Sequence, residues 1–504
     1  MKIVGLTSVV LLAFATAIGS QELGTITFPN SGNAAAQAPF LEGVKDLHSF
    51  QFDEAAVAFQ RAQKADPTFA MAYWGEAMSF NHPLWAQQDD KAAKAILEKI
   101  GSTSDARQAK AKLPKEKAFL KAIDVLYYSP GDKLARDMAY SDVMASMYAQ
   151  WPTDHEVATW YALSLLGTVR PTDKGFRRQA LAASIAEKVF KENPKHPGAA
   201  HFIIHAFDDP DHAPLGLEAA RAYAGIAPSA AHALHMPSHI FVQRGMWEDV
   251  RKSNIVAYKS ATELNARMKL AEGREDFHTL GWLEYANLML GNIDEAKANV
   301  ESARQAAERN KGNAGIYNGY LGMRARLILE TEKWEKIDIG APADSSHANM
   351  PGMPGMAAPS SNTWTFIAGY SAAKLGDLPR AESALAMLKG AREKAEGGSN
   401  PYSGRSVAIL EKQVAALVSN AKGQKEEALK LAKEAMEIEL SLSAPSGPPD
   451  PIKPAPEFYG ELLLEAGRTA DAIAALDLSL QRTPNRTPSV KAMARAKAPG
   501  TSVH

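Results

Sequence analysis

HPGAAHFIIH at residues 196–205 and AHALHMPSH at residues 231–239 carry the pattern that decides the fold. His201 and His235 are 34 residues apart, His205 and His239 are again 34 apart, and within each stretch the two histidines are separated by four. Thirty-four residues is the length of a two-helix repeat unit, so the same two positions are filled in consecutive units. Of the 13 histidines, His196, His201, His205, His212, His232, His235 and His239 all fall between residues 196 and 239.

The grammar of such a unit recurs outward from this stretch. Between Phe40 and Pro67, Gly43, Ala55 and Ala62 are small enough to let two antiparallel helices approach, Phe59 fills the gap between them, and Pro67 stops the second helix. Gly291-Asn292-Ile293-Asp294-Glu295-Ala296 predicts a turn joining a helix over about 276–290 to another over about 294–308. The segments 375–381, 423–428 and 467–472 repeat the turn, and Pro484 ends the last copy. No alternating strand pattern of useful length appears, so the chain reads as all-α.

These motifs resemble the tetratricopeptide repeat family, most closely over Gly43 to Pro67, Gly291 to Ala296 and Gly467 to Pro484. A further resemblance, to exported bacterial repeat proteins without an assigned activity, rests on AYWGEAM at 72–78, NHPLW at 81–85 and HALHMPSH at 232–239. The resemblance implies a right-handed superhelical solenoid of antiparallel helix pairs. It also implies a concave groove, lined by the first helix of each pair, that takes a protein or peptide partner.

Organisation follows from the punctuation. Residues 1–20 read as a signal peptide: Lys2 precedes an apolar run from Ile3 to Ile18, with Ala15-Thr16-Ala17 or Ala17-Ile18-Gly19 as cleavage sites. The run is too short for a membrane span, so an exported, periplasmic or extracellular chain is expected. An irregular lead-in over 21–39 precedes a repeat solenoid over 40–340 that bears the histidines. A Met/Pro/Gly-rich loop over 341–361, helices over 362–442, a Pro-rich linker over 443–456 and a last repeat and tail over 457–504 complete the chain.

Composition closes several routes. With 56 basic and 57 acidic residues the net charge is -1, which gives no electrostatic footing for nucleic acid or an anionic membrane. There are 0 cysteines, which excludes disulfides and thiolate metal sites and leaves His, Asp, Glu and Met as ligands. No Gly-rich phosphate loop, nucleophile elbow or Ser-x-x-Lys appears, and His201-Phe202-Ile203-Ile204-His205 lacks the glutamate of a His-Glu-x-x-His peptidase.

The histidines therefore carry the functional reading. Counting from the stop prolines, His201 and His235 lie seven residues beyond Pro194 and Pro228, and His205 and His239 lie eleven beyond. The first copy has Trp74 and Met78 at these places. Counting back from the turn glycines, His232 and His278 each lie thirteen before Gly245 and Gly291, and Tyr285 takes the place of His239. Histidines four apart share a helix face, and first helices of neighbouring repeats pack side by side. His201, His205, His235 and His239 are thus expected to converge on one or two transition-metal ions, with Asp208, Asp209, His212, His232 and His278 as auxiliary groups. Neutral imidazole suits Zn, Cu, Fe or Ni.

Two other readings stand beside this one: a metal-dependent hydrolase or oxidoreductase with an open coordination position, and a metal-free scaffold whose histidines are structural. Pro237 bears on all three, because a proline there predicts a kink, or a helix start at Met236, that would part His235 from His239. Met350, Met353 and Met356, with His347 upstream, have the spacing of a Cu(I) thioether site but read more simply as a mobile loop. His48, His82 and His155 read as structural, and Trp74, Trp85, Trp151, Trp160 and Tyr161 as core or groove wall.

Overall fold

A computed structural model describes residues 21–170, 175–338, 361–398 and 401–498. The expected signal peptide and the Met350, Met353 and Met356 loop lie outside the described residues. The rest is an all-α solenoid in which consecutive helices pack antiparallel and each pair stacks on the next. Ala34–His48 pairs with Phe52–Ala65, Pro197–Ala206 with Ala213–Ile226, Glu275–Leu290 with Ile293–Arg309, and Ala455–Glu465 with Thr469–Arg482. Among the described residues the strands are confined to a two-residue antiparallel bridge, Asn81–His82 against Gln87–Gln88. No helix there is long and apolar enough to cross a membrane.

Phe59 shows why the small residues are needed. Its ring is fully buried, and a Cβ at Gly43 or Gly75 would come within 2.9 or 2.2 Å of it. Burying such a ring contributes roughly 1.5–3 kcal/mol, and an alanine at residue 75 would have to displace it.

The turns between paired helices share one device. At Gly291, Asn292 N–H donates to Asn287 O (2.8 Å) and Gly291 N–H to Leu288 O (3.2 Å), which satisfies the last carbonyls and needs the left-handed φ of +80°. The same pair of bonds recurs around Gly245, Gly376, Gly423 and Gly467. In the first repeat the equivalent residue is Phe50, held at φ +54° without a glycine's freedom.

The helix expected to begin at residue 40 begins at Ala34, where the Asn33 side chain accepts from Ala36 N–H at 3.0 Å. The preceding residues are extended and anchored: Thr25 N–H donates to Lys195 O at 2.8 Å, and Phe28 packs on Phe40, Trp74 and Phe119. The main apolar core runs from Leu23 to Ala296 and a second from Ala325 to Ala475, with a small cluster around Phe277 and Met323 between them. The C-terminal helices return to the middle of the chain, where buried Arg486 pairs with Glu330 (2.6 Å) and Glu457 (2.8 Å) and Trp247 Nε1–H donates to Asn485 O (2.8 Å).

Candidate metal centre

Pro237 does not part the two histidines. Met236 keeps helical dihedrals (φ -53°, ψ -35°), so Ala231–His235 runs on into Pro237–Gln243 with only a local interruption. Proline takes the first position of the second segment, where its missing N–H is least needed. His235 Nε2 and His239 Nε2 come to 3.2 Å, and His278 Nε2, from Glu275–Leu290, lies 2.9 Å from His235 Nε2.

The hydrogen bonds on the other ring nitrogens fix what these atoms are. Asn254 Nδ2 donates to Val250 O at 2.8 Å, which turns its Oδ1 towards His235 Nδ1 at 2.7 Å, so His235 carries its proton on Nδ1. Asp208 does the same for His239, whose Nδ1–H donates to Oδ2 at 2.7 Å, while Gln243 Nε2 donates to Oδ1 at 3.2 Å. Both Nε2 atoms are therefore bare lone pairs facing one another. A proton between them is disfavoured, because burial first, and then the neighbouring imidazoles, hold His235 well below its ordinary pKa and His278 at about 4. The three side chains are among those that could hold a metal ion. A tetrahedral ion with metal–nitrogen bonds of about 2.0–2.1 Å sets its ligand nitrogens about 3.3 Å apart.

A second set repeats the plan one unit earlier. His201 Nδ1–H donates to the His48 carbonyl at 2.6 Å, leaving its Nε2 bare and 3.0 Å from His205 Nε2. His232 Nδ1–H donates to Glu275 at 3.2 Å, and its buried Nε2 has no hydrogen-bond partner among the described residues. Ligand atoms of His201, His205 and His232 lie within 4.8 Å of one another, as do those of His235, His239 and His278. His201 and His205 are pushed well below the ordinary histidine pKa by burial and by their neighbours. Burial alone would raise the Glu275 carboxyl, but the His232, His278 and His235 imidazoles outweigh it and hold it well below the usual range.

The grouping differs from the expected one. The sequence register predicts that His201, His205, His235 and His239 converge, with His232 and His278 as auxiliary groups, whereas each structural set takes the four-apart pair of one repeat and the earlier histidine of the next, His232 or His278. Asp208 takes the outer position expected of a second-sphere acceptor. Asp209 and His212 do not join either set: they bond each other at 2.8 Å in the turn after Pro197–Ala206, and His212 stacks on Phe176 at 3.5 Å. Asn254, Glu275, Phe50 and Trp282 escape sequence reasoning, although Phe50, standing where other turns have glycine, carried a signal. Its ring lies 4.4, 5.6 and 5.5 Å from His201, His205 and His232, and Trp282 lies 4.9, 4.6 and 5.6 Å from His235, His239 and His278.

A third trio, His48, Glu156 and His196, is of another kind. His196 Nδ1 accepts from Ala199 N–H at 3.2 Å, so its Nε2–H donates to Glu156 Oε1 at 3.2 Å, and His48 Nε2 bonds Oε2 at 2.9 Å. Burial would raise the Glu156 carboxyl, but the two imidazoles hold it at about 2. This trio links three helices, and the His48 carbonyl orients His201.

In architecture the chain is a tetratricopeptide-like repeat protein whose first helices carry two adjoining three-imidazole sets. No family model matches it, and no curated protein is similar to it. Solved structures with a similar course of helices include the APC/C hetero-tetramer Cut9–Hcn1 (10% identity, 94% of this chain and 79% of that chain, TM-score 0.36). Yeast Tom70 is similar at 13% identity over 92% and 95% (TM-score 0.37), and human IFIT1, solved as a dimer with m7Gppp-AAAA, at 11% over 94% and 90% (TM-score 0.37). The repeat architecture is read from the helix pairs themselves.

Proposed function

We propose that this chain is an exported repeat scaffold that holds transition-metal ions in its first-helix layer and takes a protein or peptide partner along the same layer. The observation that carries the metal reading is the convergence of three Nε2 atoms at 2.9 and 3.2 Å in the His235, His239 and His278 set, two of them bared by Asn254 and Asp208. Zn, Cu, Fe or Ni would suit the donors; carboxylates serve the outer positions, and no thiolate exists in the chain. Export is supported by Lys2 with the apolar run Ile3 to Ile18.

Three protein ligands leave an ion an open position, as in catalytic zinc sites, whereas structural sites are closed by four. That ligand count favours, as a second reading, a metal-dependent hydrolase or oxidoreductase at the same residues.

The test is elemental analysis after reconstitution with Zn, Cu, Fe or Ni, comparing the mature chain with a His235→Ala/His278→Ala variant. Stoichiometric metal in the first and a deficit in the second is expected. A wild-type chain that holds none of the four would leave the metal-free scaffold.

A further inference from the structure

We propose that the two histidine sets form one dinuclear centre, in which two metal ions sit side by side and share a small bridging anion. This rests on the metal reading above and goes beyond it in joining the two sites and naming their ligand class.

The sets are contiguous. Ring centroids of His205 and His239, from different sets, are 6.0 Å apart, and those of His232 and His235 6.2 Å, no longer than the 6.5 Å between His205 and His232 within one set. The aromatic walls do not come between them. Of the histidines among the described residues, the Phe50 ring meets those of the first set and the Trp282 ring those of the second. Each set has a wall of its own, and the two meet through His205, His232, His235 and His239.

The count of two follows from the repeats. A pair four apart and the earlier histidine of the next unit make one set, and the construction works twice. It stops in the following unit, where Gly281 and Tyr285 stand at the places of His235 and His239.

Charge argues for the anion. Imidazoles are neutral ligands, and each set is given one carboxylate partner, Glu275 through His232 and Asp208 through His239. Two divalent ions bring four positive charges against these two negative ones, in a site where His201, His232, His235 and His239 are buried. With three protein nitrogens per ion, each has a coordination position left, and a hydroxide, azide or similar small anion shared between them would fill both and reduce the excess charge.

The experiment uses the full mature chain and Cu(II), whose unpaired spin reports a neighbour. Copper is added at one and two equivalents, with and without azide; bound metal is measured by elemental analysis and spin by integrated electron paramagnetic resonance. The expected result is two coppers per chain, nearly full spin at one equivalent, and loss of most of the signal at two equivalents with azide. A His205→Ala/His232→Ala variant should hold one copper with full spin. Should that variant not fold, wild type at one equivalent gives the same reference. Two coppers with two full, unbroadened spins would overturn the dinuclear centre and leave the metal reading standing, as would a wild-type chain that saturates at one copper. A chain that retains no copper here, and no Zn, Fe or Ni on reconstitution, would overturn the metal reading itself.

Discussion

His48, Glu156 and His196 on one side, and His235, His239 and His278 on the other, each bring three metal-capable side chains together in a buried place, yet they are built for opposite ends. In the first trio the imidazoles turn towards an ionised carboxylate and take up both of its oxygens. In the second, the protons are drawn outwards onto Asn254 and Asp208, and bare nitrogens are left facing one another. On the proposed reading, what separates a structural histidine from a ligand is the acceptor behind the ring, not burial or proximity.

The largest effect expected from this contrast is on stability. Glu156→Ala strands two buried imidazoles and should destabilise the chain by about 3–5 kcal/mol in chemical denaturation, while the second histidine set keeps its ion. Loss of that ion at full folding would show that the trio is part of the centre. Acid should act next. His278 is held at about 4 when folded against 6.5 in the open chain, so the unfolded state takes the proton first. The metal-free protein should therefore be most stable above pH 6.5 and lose up to about 3 kcal/mol as pH falls to 4, as read by denaturation midpoints. His201, His205 and His235 are depressed in the same sense, so a His278→Ala variant should show a smaller acid loss than wild type, and an unchanged profile would contradict the assignment.

Asp208→Ala removes the acceptor behind His239 and should weaken metal binding roughly 10–100-fold in competition with a chelator. Asp209→Ala, one residue away but bonded to His212, should leave affinity unchanged. Equal effects of the two would erase the distinction drawn here. The smallest expected change is at Phe50. Glycine there relieves a left-handed backbone worth about 1–2 kcal/mol but gives up a buried ring worth roughly 1.5–3 kcal/mol. Phe50→Gly should therefore lower stability by only about 1 kcal/mol. Its clearer sign should be faster loss of metal from the His201, His205 and His232 set to a chelator.

The helix pairs were legible in the sequence because their signals are local: Phe59 needs Gly43, and a turn needs Gly291. The histidine positions were legible because repetition makes them periodic. Their grouping was not, since His232 and His278 reach back to the preceding repeat and only the stacking of first helices reveals it. Asn254 and Glu275 are silent for the same reason: each is an acceptor supplied by a neighbouring helix, Trp247–Met268 or Glu275–Leu290, at a spacing no motif records. Pro237 misled in the other direction, because a proline at the first position of a helical segment interrupts one bond without turning the chain.

The measurement that bears most directly on the histidine site is X-ray absorption at the metal edge of the zinc- or copper-loaded chain. The expected result is a first shell dominated by about three nitrogens at about 2.0–2.1 Å with the outer scattering of imidazole rings, with less metal bound per chain in the His235→Ala/His278→Ala variant. A first shell of oxygens without imidazole scattering, unchanged in that variant, would contradict it.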